Sequence, residues 1–221
     1  METPCKTCVP EEKFSVPDPY DWQERHRQII AVNRERNPRL ILVGDSIIHY
    51  WGGVPAHEIQ RGPDSWNALF EPFRAVNMGF GMDRVENMLW RVQNGELDGI
   101  APEMVILEGG TNNYGSATDE EIALGMRRLA EEIGARLPQA KILLLGMTPN
   151  ANRDDRARAM TARSAAFDGL LGGRLRFVDV GPALRGPDGK IDAACFCDGC
   201  HPNAEGNRRL AAVLAPFLPQ S

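Results

Sequence analysis

The sequence lacks several features that would place it in particular protein classes. No apolar run approaches the roughly 20 residues that a membrane-spanning helix needs, so no membrane span is predicted. No basic run or stripe is present and the formal net charge is −5, which argues against a nucleic-acid partner. Residues 1–20 have no apolar core of the secretory-signal type. This predicts a cytoplasmic location, although a chain whose signal had been removed would look the same.

Cysteine is scarce and its count is odd. Five cysteines form two groups along the chain: Cys5, Cys8, Cys195, Cys197 and Cys200. An odd count without a visible signal favours free thiols over a disulfide framework. Three alternatives are open: a four-thiolate zinc site that joins the two groups, a disulfide between them, and covalent haem attachment. The last follows from Cys197-Asp198-Gly199-Cys200-His201, which spells C-x-x-C-H.

The sequence does contain a regular alternation of strand-type and helix-type segments. Continuous apolar runs predict five strands, at residues 40–43, 75–77, 104–107, 142–145 and 176–179. Such runs are typical of a parallel sheet that is covered on both faces. The predicted fold is therefore a flavodoxin-like three-layer α/β/α sandwich with a five-stranded parallel sheet. Residues 1–17 are predicted to be an irregular arm and residues 18–221 a single domain.

Helical spacing of apolar residues and capping patterns predict the segments between the strands. Five helices are predicted: from Asp18 to Asn37-Pro38, from Asp83 to Asn94-Gly95, after a capping pair of Thr118 and Glu121, over residues 154–171, and after Asn203. Asp83 with Glu86 three residues later is interpreted as the cap of the second helix.

Residues with chemical potential follow the ends of four predicted strands. In open parallel sheets, ligands bind outside the carboxyl ends of the strands. Ser46 follows the first strand, residues 79–82 the second, Asn112 the third, and a loop with Asp198 and His201 the fifth. A serine hydroxyl needs an adjacent base to act as a nucleophile, and His201 is the candidate. Asp198 could hold the Nδ1–H of that histidine, as the acid of a triad does.

An acyl-transfer site also needs fixed donors for the oxyanion that forms during attack. The sequence offers three: the backbone N–H of Ser46, a backbone N–H in the loop of residues 79–83, and the side-chain amide of Asn112. Taken alone, the stretch of residues 109–113 also fits an ordinary turn after a strand.

The order of these motifs resembles the four sequence blocks of the SGNH (GDSL) hydrolases. The blocks are Gly44-Asp45-Ser46, residues 77–83, Gly110-Thr111-Asn112-Asn113, and Asp198-x-x-His201. The resemblance covers residues 40–215 and is closest to the platelet-activating-factor acetylhydrolase catalytic subunits and the bacterial acetylesterases. It implies Ser46 as nucleophile, His201 as base, Asp198 as its partner and Asn112 as an oxyanion donor, with no metal or organic cofactor.

Two positions depart from the family pattern. The glycine of the second block aligns with Met82, which makes the Met82 backbone N–H the expected oxyanion donor. Gly81 is the alternative if the loop shifts by one residue. Asn113 stands where many members carry aspartate.

The expected function is that of a serine esterase that hydrolyses short-chain esters, acetyl esters first, through an acyl-enzyme. An acetylated carbohydrate is the first expected substrate. The alternatives are a lipid-type acetylhydrolase for small phospholipid-like esters and a non-catalytic binding module with the same fold. The resemblance also allows for a homodimer. Large side chains near the expected site are candidates for a substrate-binding rim or for the core: Tyr50, Trp51, Phe80, Met82, Tyr114 and Phe196.

Overall fold

A five-stranded parallel sheet organises the chain. The computed structural model describes residues 5–13 and 20–220. Its strands are β1 Leu40–Gly44, β2 Val76–Gly79, β3 Met104–Leu107, β4 Lys141–Leu145 and β5 Leu175–Val178. Their order is β2-β1-β3-β4-β5, and every neighbouring pair is parallel. This order is the flavodoxin-like one, so the predicted fold is confirmed.

Helices cover both faces of this sheet. They are α1 Trp22–Arg36, α2 Ser46–His49, α3 Pro63–Leu69, α4 Val85–Gln93, α5 Asp119–Arg136, α6 Asp154–Ala165 and α7 Ala204–Leu214. Side chains alternate along each strand, so Ile41 and Val43 join the core under α1, α4, α5 and α6, whereas Leu40 and Leu42 join the core under α3 and α7. None of the helices in the described ranges is long and apolar enough to cross a bilayer.

The register of the sheet brings the ends of β1, β2 and β3 together. Gly44 lies opposite Gly79 on one side of β1, and Val43 lies opposite Leu107 on the other side. The loops that follow these three strands therefore leave the sheet side by side. This arrangement places the first three sequence blocks at one edge.

Several helix starts follow the predicted caps. Thr118 and Glu121 form a reciprocal capping box, in which each side chain accepts the other residue's backbone N–H. Asn203 caps α7 through its side-chain oxygen. The predicted start of the first helix at Asp18 lies outside the residues that the structure describes. Within them, Asp21 caps α1 by accepting the Glu24 N–H at 2.9 Å.

The predicted Asp83–Glu86 cap of α4 is wrong. The side chain of Asn87 accepts the backbone N–H that precedes this helix, at 3.0 Å. The carboxylate of Asp83 is buried and accepts hydrogen bonds from Arg91 Nε at 2.8 Å and Trp22 Nε1 at 2.7 Å. The sequence pattern fits a cap, but a buried arginine attracts this carboxylate more strongly than a helix terminus does.

Helix α6 is shorter than the predicted span of 154–171. It ends at Ala165. Three glycines between residues 169 and 173 and the side-chain-bearing Leu171 have φ values between 56° and 84°. Consecutive right-handed helical turns cannot include these left-handed residues, so the chain turns back toward β5 here.

Cys5 and Cys195, from the two cysteine groups, lie on opposite sides of the sheet. The Cys5 Sγ atom lies 3.7 Å from the carbonyl oxygen of Glu121, just above α5. Cys195 is buried in the core of the other face, with α7. All five cysteines are free. Among the described residues no cluster of three or more histidine, cysteine or acidic side chains could hold a metal ion. A zinc site or disulfide that joins the two groups is therefore contradicted.

Candidate active site

Ser46 lies at the junction between β1 and α2. Asp45 accepts the backbone N–H of Ile47 at 3.0 Å and thereby caps the short helix that Ser46 begins. Gly44 leaves no room for a side chain, because a Cβ atom there would lie 2.4 Å from Ile48 Cγ1. The turn thus depends on a glycine before the serine, and it directs the hydroxyl toward the carboxyl edge of the sheet.

One tight loop carries both His201 and Asp198. The Cys197 backbone N–H donates to the carbonyl oxygen of His201 at 2.9 Å and closes the loop. Inside it, Asp198 Oδ1 accepts the backbone N–H groups of Cys200 at 3.1 Å and His201 at 2.8 Å. Asp198 Oδ2 lies 2.8 Å from His201 Nδ1. A carboxylate only accepts, so His201 carries its proton on Nδ1 and presents a lone pair on Nε2.

That lone pair faces the serine. Ser46 Oγ and His201 Nε2 are 2.9 Å apart, although 155 positions separate the two residues in sequence. The structure therefore brings the three predicted residues together in the order hydroxyl, imidazole, carboxylate. A hydroxyl in this position can lose its proton to the ring during attack. Haem attachment would need a ring nitrogen of His201 for the iron, so the haem alternative and the triad exclude each other.

The electrostatics of Asp198 favour its charged form. Partial burial alone would raise the pKa of this carboxyl group, but three hydrogen bonds outweigh it: from the backbone N–H of His201, from its imidazole, and from the Cys200 N–H. Together they lower the pKa of Asp198 to about 2. Asp198 is consequently ionised at neutral pH, where an imidazolium beside it is stabilised.

In the loop after β2, the backbone N–H groups of the consecutive residues Gly81 and Met82 differ in whether they are already hydrogen-bonded. The Gly81 N–H donates to Nδ1 of His49 at 2.9 Å and is therefore already used. Within the described chain, no atom accepts the N–H of Met82 or the N–H of Ser46. Met82 has φ 61°, which lies in the left-handed region that glycine adopts freely. Of the two predicted alternatives, the structure leaves the Met82 N–H available.

Asn112 approaches this loop from the end of β3. Its Nδ2 donates one hydrogen to the carbonyl oxygen of Asp83 at 2.9 Å, which leaves the second hydrogen of the amide for another acceptor. The neighbouring Asn113 is buried, accepts the Val85 N–H at 3.0 Å and donates to Glu86 Oε2 at 2.8 Å. An aspartate at position 113 could not make the second bond while ionised.

Comparison with known proteins identifies the group to which this arrangement belongs. The family model for the GDSL-like lipase/acylhydrolase family matches residues 42–209. The chain belongs to this family. Its relatives and neighbours are named acetylhydrolases, acylhydrolases and esterases, and the chain is a carboxylic ester hydrolase, as predicted.

Relatives with similar sequences cover most of this chain. The alpha1 subunit of bovine (Bos taurus) platelet-activating factor acetylhydrolase IB is 30% identical over 200 residues, which are 89% of this chain and 82% of the relative. The bovine alpha2 subunit is 32% identical over 205 residues, 90% of this chain and 84% of the relative.

Solved structures show the same fold. A GDSL-like lipase from Bacteroides thetaiotaomicron superposes with a TM-score of 0.66 at 17% identity, covering 87% of this chain and 96% of that one. A variant of an acetyl-xylooligosaccharide esterase from Geobacillus has a TM-score of 0.64 at 19% identity, with 83% and 95% coverage.

A buried arginine anchors this GDSL-type site, and no sequence motif indicated this role. Arg91 is fully buried and binds Asp83 at 2.8 Å and Glu96 at 2.6 Å. Its guanidinium also donates to the carbonyl oxygens of Met78 at 3.2 Å and Gly44 at 3.4 Å. The available signal was an arginine on the apolar face of a predicted helix, since buried charges are almost always paired.

Two carboxyl groups lie buried beside the serine. Asp45 and Glu108 are both about 1% exposed. Burial, and next the neighbouring Asp45 carboxyl group, raise the pKa of Glu108 well above its usual value. Burial beside a second carboxyl group thus favours the protonated form of Glu108. Burial likewise raises the pKa of Asp45, although the Ile47 N–H, the Glu108 carboxyl group and the charge of His201 each partly offset this rise. No sequence motif indicated a role for Glu108.

The predicted aromatic rim is mostly core. Five of the six side chains are buried with 8% exposure or less: Tyr50, Trp51, Phe80, Tyr114 and Phe196. Met82 is the exception, with 54% of its surface exposed. Large rings that follow strand ends fill the space between the sheet and its helices, which is the commoner fate of aromatic residues. Of the six, Met82 is thus the one whose side chain lies on the surface beside the site.

Proposed function

We propose that this protein hydrolyses short-chain carboxylic esters, acetyl esters first, through Ser46, His201 and Asp198. The observation that carries the proposal is the continuous chain of bonds from Ser46 Oγ to His201 Nε2 at 2.9 Å and from His201 Nδ1 to Asp198 Oδ2 at 2.8 Å. This is the geometry that nucleophilic acyl transfer requires.

The reaction would proceed in two balanced halves. His201 takes the Ser46 proton while Oγ attacks the ester carbonyl, and the carbonyl electrons move to the oxygen. The tetrahedral intermediate collapses to an acyl-enzyme when His201 returns the proton to the departing alcohol. Water then loses a proton to His201 and attacks the acyl carbon. The second tetrahedral intermediate collapses, the bond to Ser46 Oγ breaks, and His201 returns the proton to Oγ as the carboxylic acid leaves. Asp198, ionised at neutral pH, stabilises the imidazolium in both halves.

Three donors are proposed for the oxyanion. They are the backbone N–H groups of Ser46 and Met82, neither of which has an acceptor among the described residues, and the second amide hydrogen of Asn112. A hydrogen bond holds Asn112 against the loop that contains Met82, since the Asn112 amide donates to the carbonyl oxygen of Asp83, the residue after Met82. Donors fixed in advance cost no reorganisation when the charge develops.

Asn112→Ala is expected to lower kcat by roughly 10²–10³ with little change in KM, because the lost amide binds the transition state rather than the ester. Steady-state kinetics on a short-chain ester would measure both constants. Asn67→Ala, on the exposed surface of α3, is the matched control and should behave like the wild type. An unchanged kcat in Asn112→Ala would remove this side chain from the proposed oxyanion site.

The choice of acyl group rests on the relatives. Those aligned over most of this chain are named acetylhydrolases, and the Geobacillus neighbour shows that this fold can serve an acetylated oligosaccharide. An acetylated carbohydrate is accordingly the first proposed substrate. A small acetylated phospholipid is the second, because the sequence relatives are named for platelet-activating factor.

A series of p-nitrophenyl esters from acetate to octanoate would test the acyl preference. Turnover is expected to be highest for acetate and to fall steeply with chain length in the wild type. Acetylated xylo-oligosaccharides and an acetyl ether phospholipid, assayed in parallel by acetate release, would then separate the two alcohols. Equal rates along the ester series would contradict the short-acyl proposal, whatever the alcohol.

A further inference from the structure

The peptide group that joins Gly81 to Met82 is held in place by hydrogen bonds to its carbonyl oxygen. The Tyr20 hydroxyl donates to the Gly81 carbonyl oxygen at 2.9 Å, and Lys13 Nζ donates to the same oxygen at 3.4 Å. A trans peptide is planar, and its C=O and N–H point in opposite directions. A carbonyl held by Tyr20 therefore directs the Met82 N–H the other way.

The preceding peptide group, which joins Phe80 to Gly81, is held in place through its N–H. His49, three positions after Ser46, accepts the Gly81 N–H on Nδ1 at 2.9 Å. Its ring is buried, with Tyr50 stacked on it at 4.8 Å and Tyr20 edge-on at 4.8 Å. These rings leave the imidazole little freedom to turn. The loop backbone also lies close to α2, since a Cβ atom on Gly79 would be 2.2 Å from the backbone nitrogen of His49.

The protonation state of His49 suits this task. Burial, followed by the positive charge of Arg25 and by His57, lowers the pKa of His49 strongly. The ring is neutral, and because Nδ1 accepts a hydrogen bond, the proton lies on Nε2. A neutral His49 is unsuited to acting as a second base for Ser46, because its Nδ1 lone pair is already used by Gly81.

We infer that Tyr20 and His49 are positioning residues that direct the Met82 N–H toward the oxyanion, by holding Gly81 from its carbonyl and its amide sides. The inference rests on the proposed function and extends it to residues outside the four sequence blocks. Neither side chain touches the reacting atoms. Both act through the backbone of one residue, in a loop where Met82 adopts a left-handed conformation.

Tyr20→Phe removes one hydroxyl and His49→Phe removes one acceptor, while both keep a ring in place. Each is expected to lower kcat by about 10-fold to 100-fold with KM nearly unchanged, since small misplacements of catalytic groups cost up to about 10². The loss should be smaller than for outright removal of a donor. His49→Asn can place its side-chain oxygen near the Nδ1 position, and it is expected to recover a large part of the activity.

The measurement that separates positioning from a general loss of structure is the rate at which a fluorophosphonate labels Ser46. Phosphonylation uses the same oxyanion donors, so labelling should slow in parallel with kcat in the two phenylalanine variants and recover in His49→Asn. Equal labelling rates and kcat in wild type, Tyr20→Phe and His49→Phe would overturn the inference. If His49→Asn loses as much kcat and labelling rate as His49→Phe, the hydrogen bond from the Gly81 N–H is not the cause of the loss. The inference would then be overturned for His49.

This design distinguishes failure of the inference from failure of the proposed function. If the wild type neither hydrolyses esters nor is labelled at Ser46, the proposed function fails, and the positioning role falls with it. If the wild type does both and the phenylalanine variants match it, the proposed function stands and only the positioning role is lost.

Discussion

Ser46→Ala is expected to abolish catalysed hydrolysis, with a fall in kcat on the order of 10⁶. Without the hydroxyl no acyl-enzyme can form, and His201 has no proton to remove. The fold should persist, because the hydrogen bond recorded for this hydroxyl is the one to His201 and the hydroxyl is small. Initial rates on p-nitrophenyl acetate and a thermal unfolding curve would measure the two properties. Turnover near the wild-type rate in a folded Ser46→Ala protein would remove Ser46 as the nucleophile.

Asp198→Asn is expected to lower kcat by roughly 10⁴, the effect that the same change has in a well-studied serine protease. The asparagine oxygen can still accept the backbone N–H groups of Cys200 and His201, so the loop is retained. Its amide, however, donates where the carboxylate accepted. The imidazole would then carry its proton on Nε2 and could not take the serine proton.

The loss in Asp198→Asn should persist from mildly acidic to mildly alkaline pH. The wild-type carboxyl group has a pKa of about 2, below its ordinary value, and is ionised throughout this range. Asp188→Asn is a matched control, because Asp188 is exposed and likewise accepts a backbone N–H two residues later, from Lys190 at 3.0 Å. This control should keep full activity. A kcat for Asp198→Asn within a few-fold of the control would contradict the role of Asp198.

The architecture could be predicted because its signals are local. Five apolar runs and the capping patterns at Thr118 and Asn203 each lie within a few residues, and the structure confirms them. The proximity of Ser46 and His201 is not local, but it follows from the rule that loops at the carboxyl ends of parallel strands share one edge. Residue type and strand position together were therefore enough to assemble this part of the site.

The supports of the oxyanion loop could not be predicted in this way. Tyr20 reaches a carbonyl oxygen 61 positions later, and Arg25 binds the carbonyl oxygen of Gly79 at 2.7 Å across 54 positions. Such bonds depend on how α1 packs beside β2, and no spacing in the sequence records that packing. The predicted cap at Asp83 was wrong for a related reason. Arg91 is the partner of this carboxylate because both groups are buried together, and sequence distance does not record that.

The exposure of side chains near the site also could not be predicted from the sequence. Aromatic residues that follow strand ends fit a substrate-binding rim and a core equally well, and the structure places Phe80 and Trp51 in the core. The homodimer and the cytoplasmic location stay predictions.

Covalent labelling with a fluorophosphonate tests the central claim most directly, because it needs no knowledge of the natural alcohol. The wild-type protein should take up one phosphonyl group, and peptide mapping by mass spectrometry should place it on Ser46. Labelling should be lost in Ser46→Ala and strongly slowed in His201→Ala. An unlabelled protein that hydrolyses esters, or an adduct on another residue with Ser46 unmodified, would contradict the proposed mechanism.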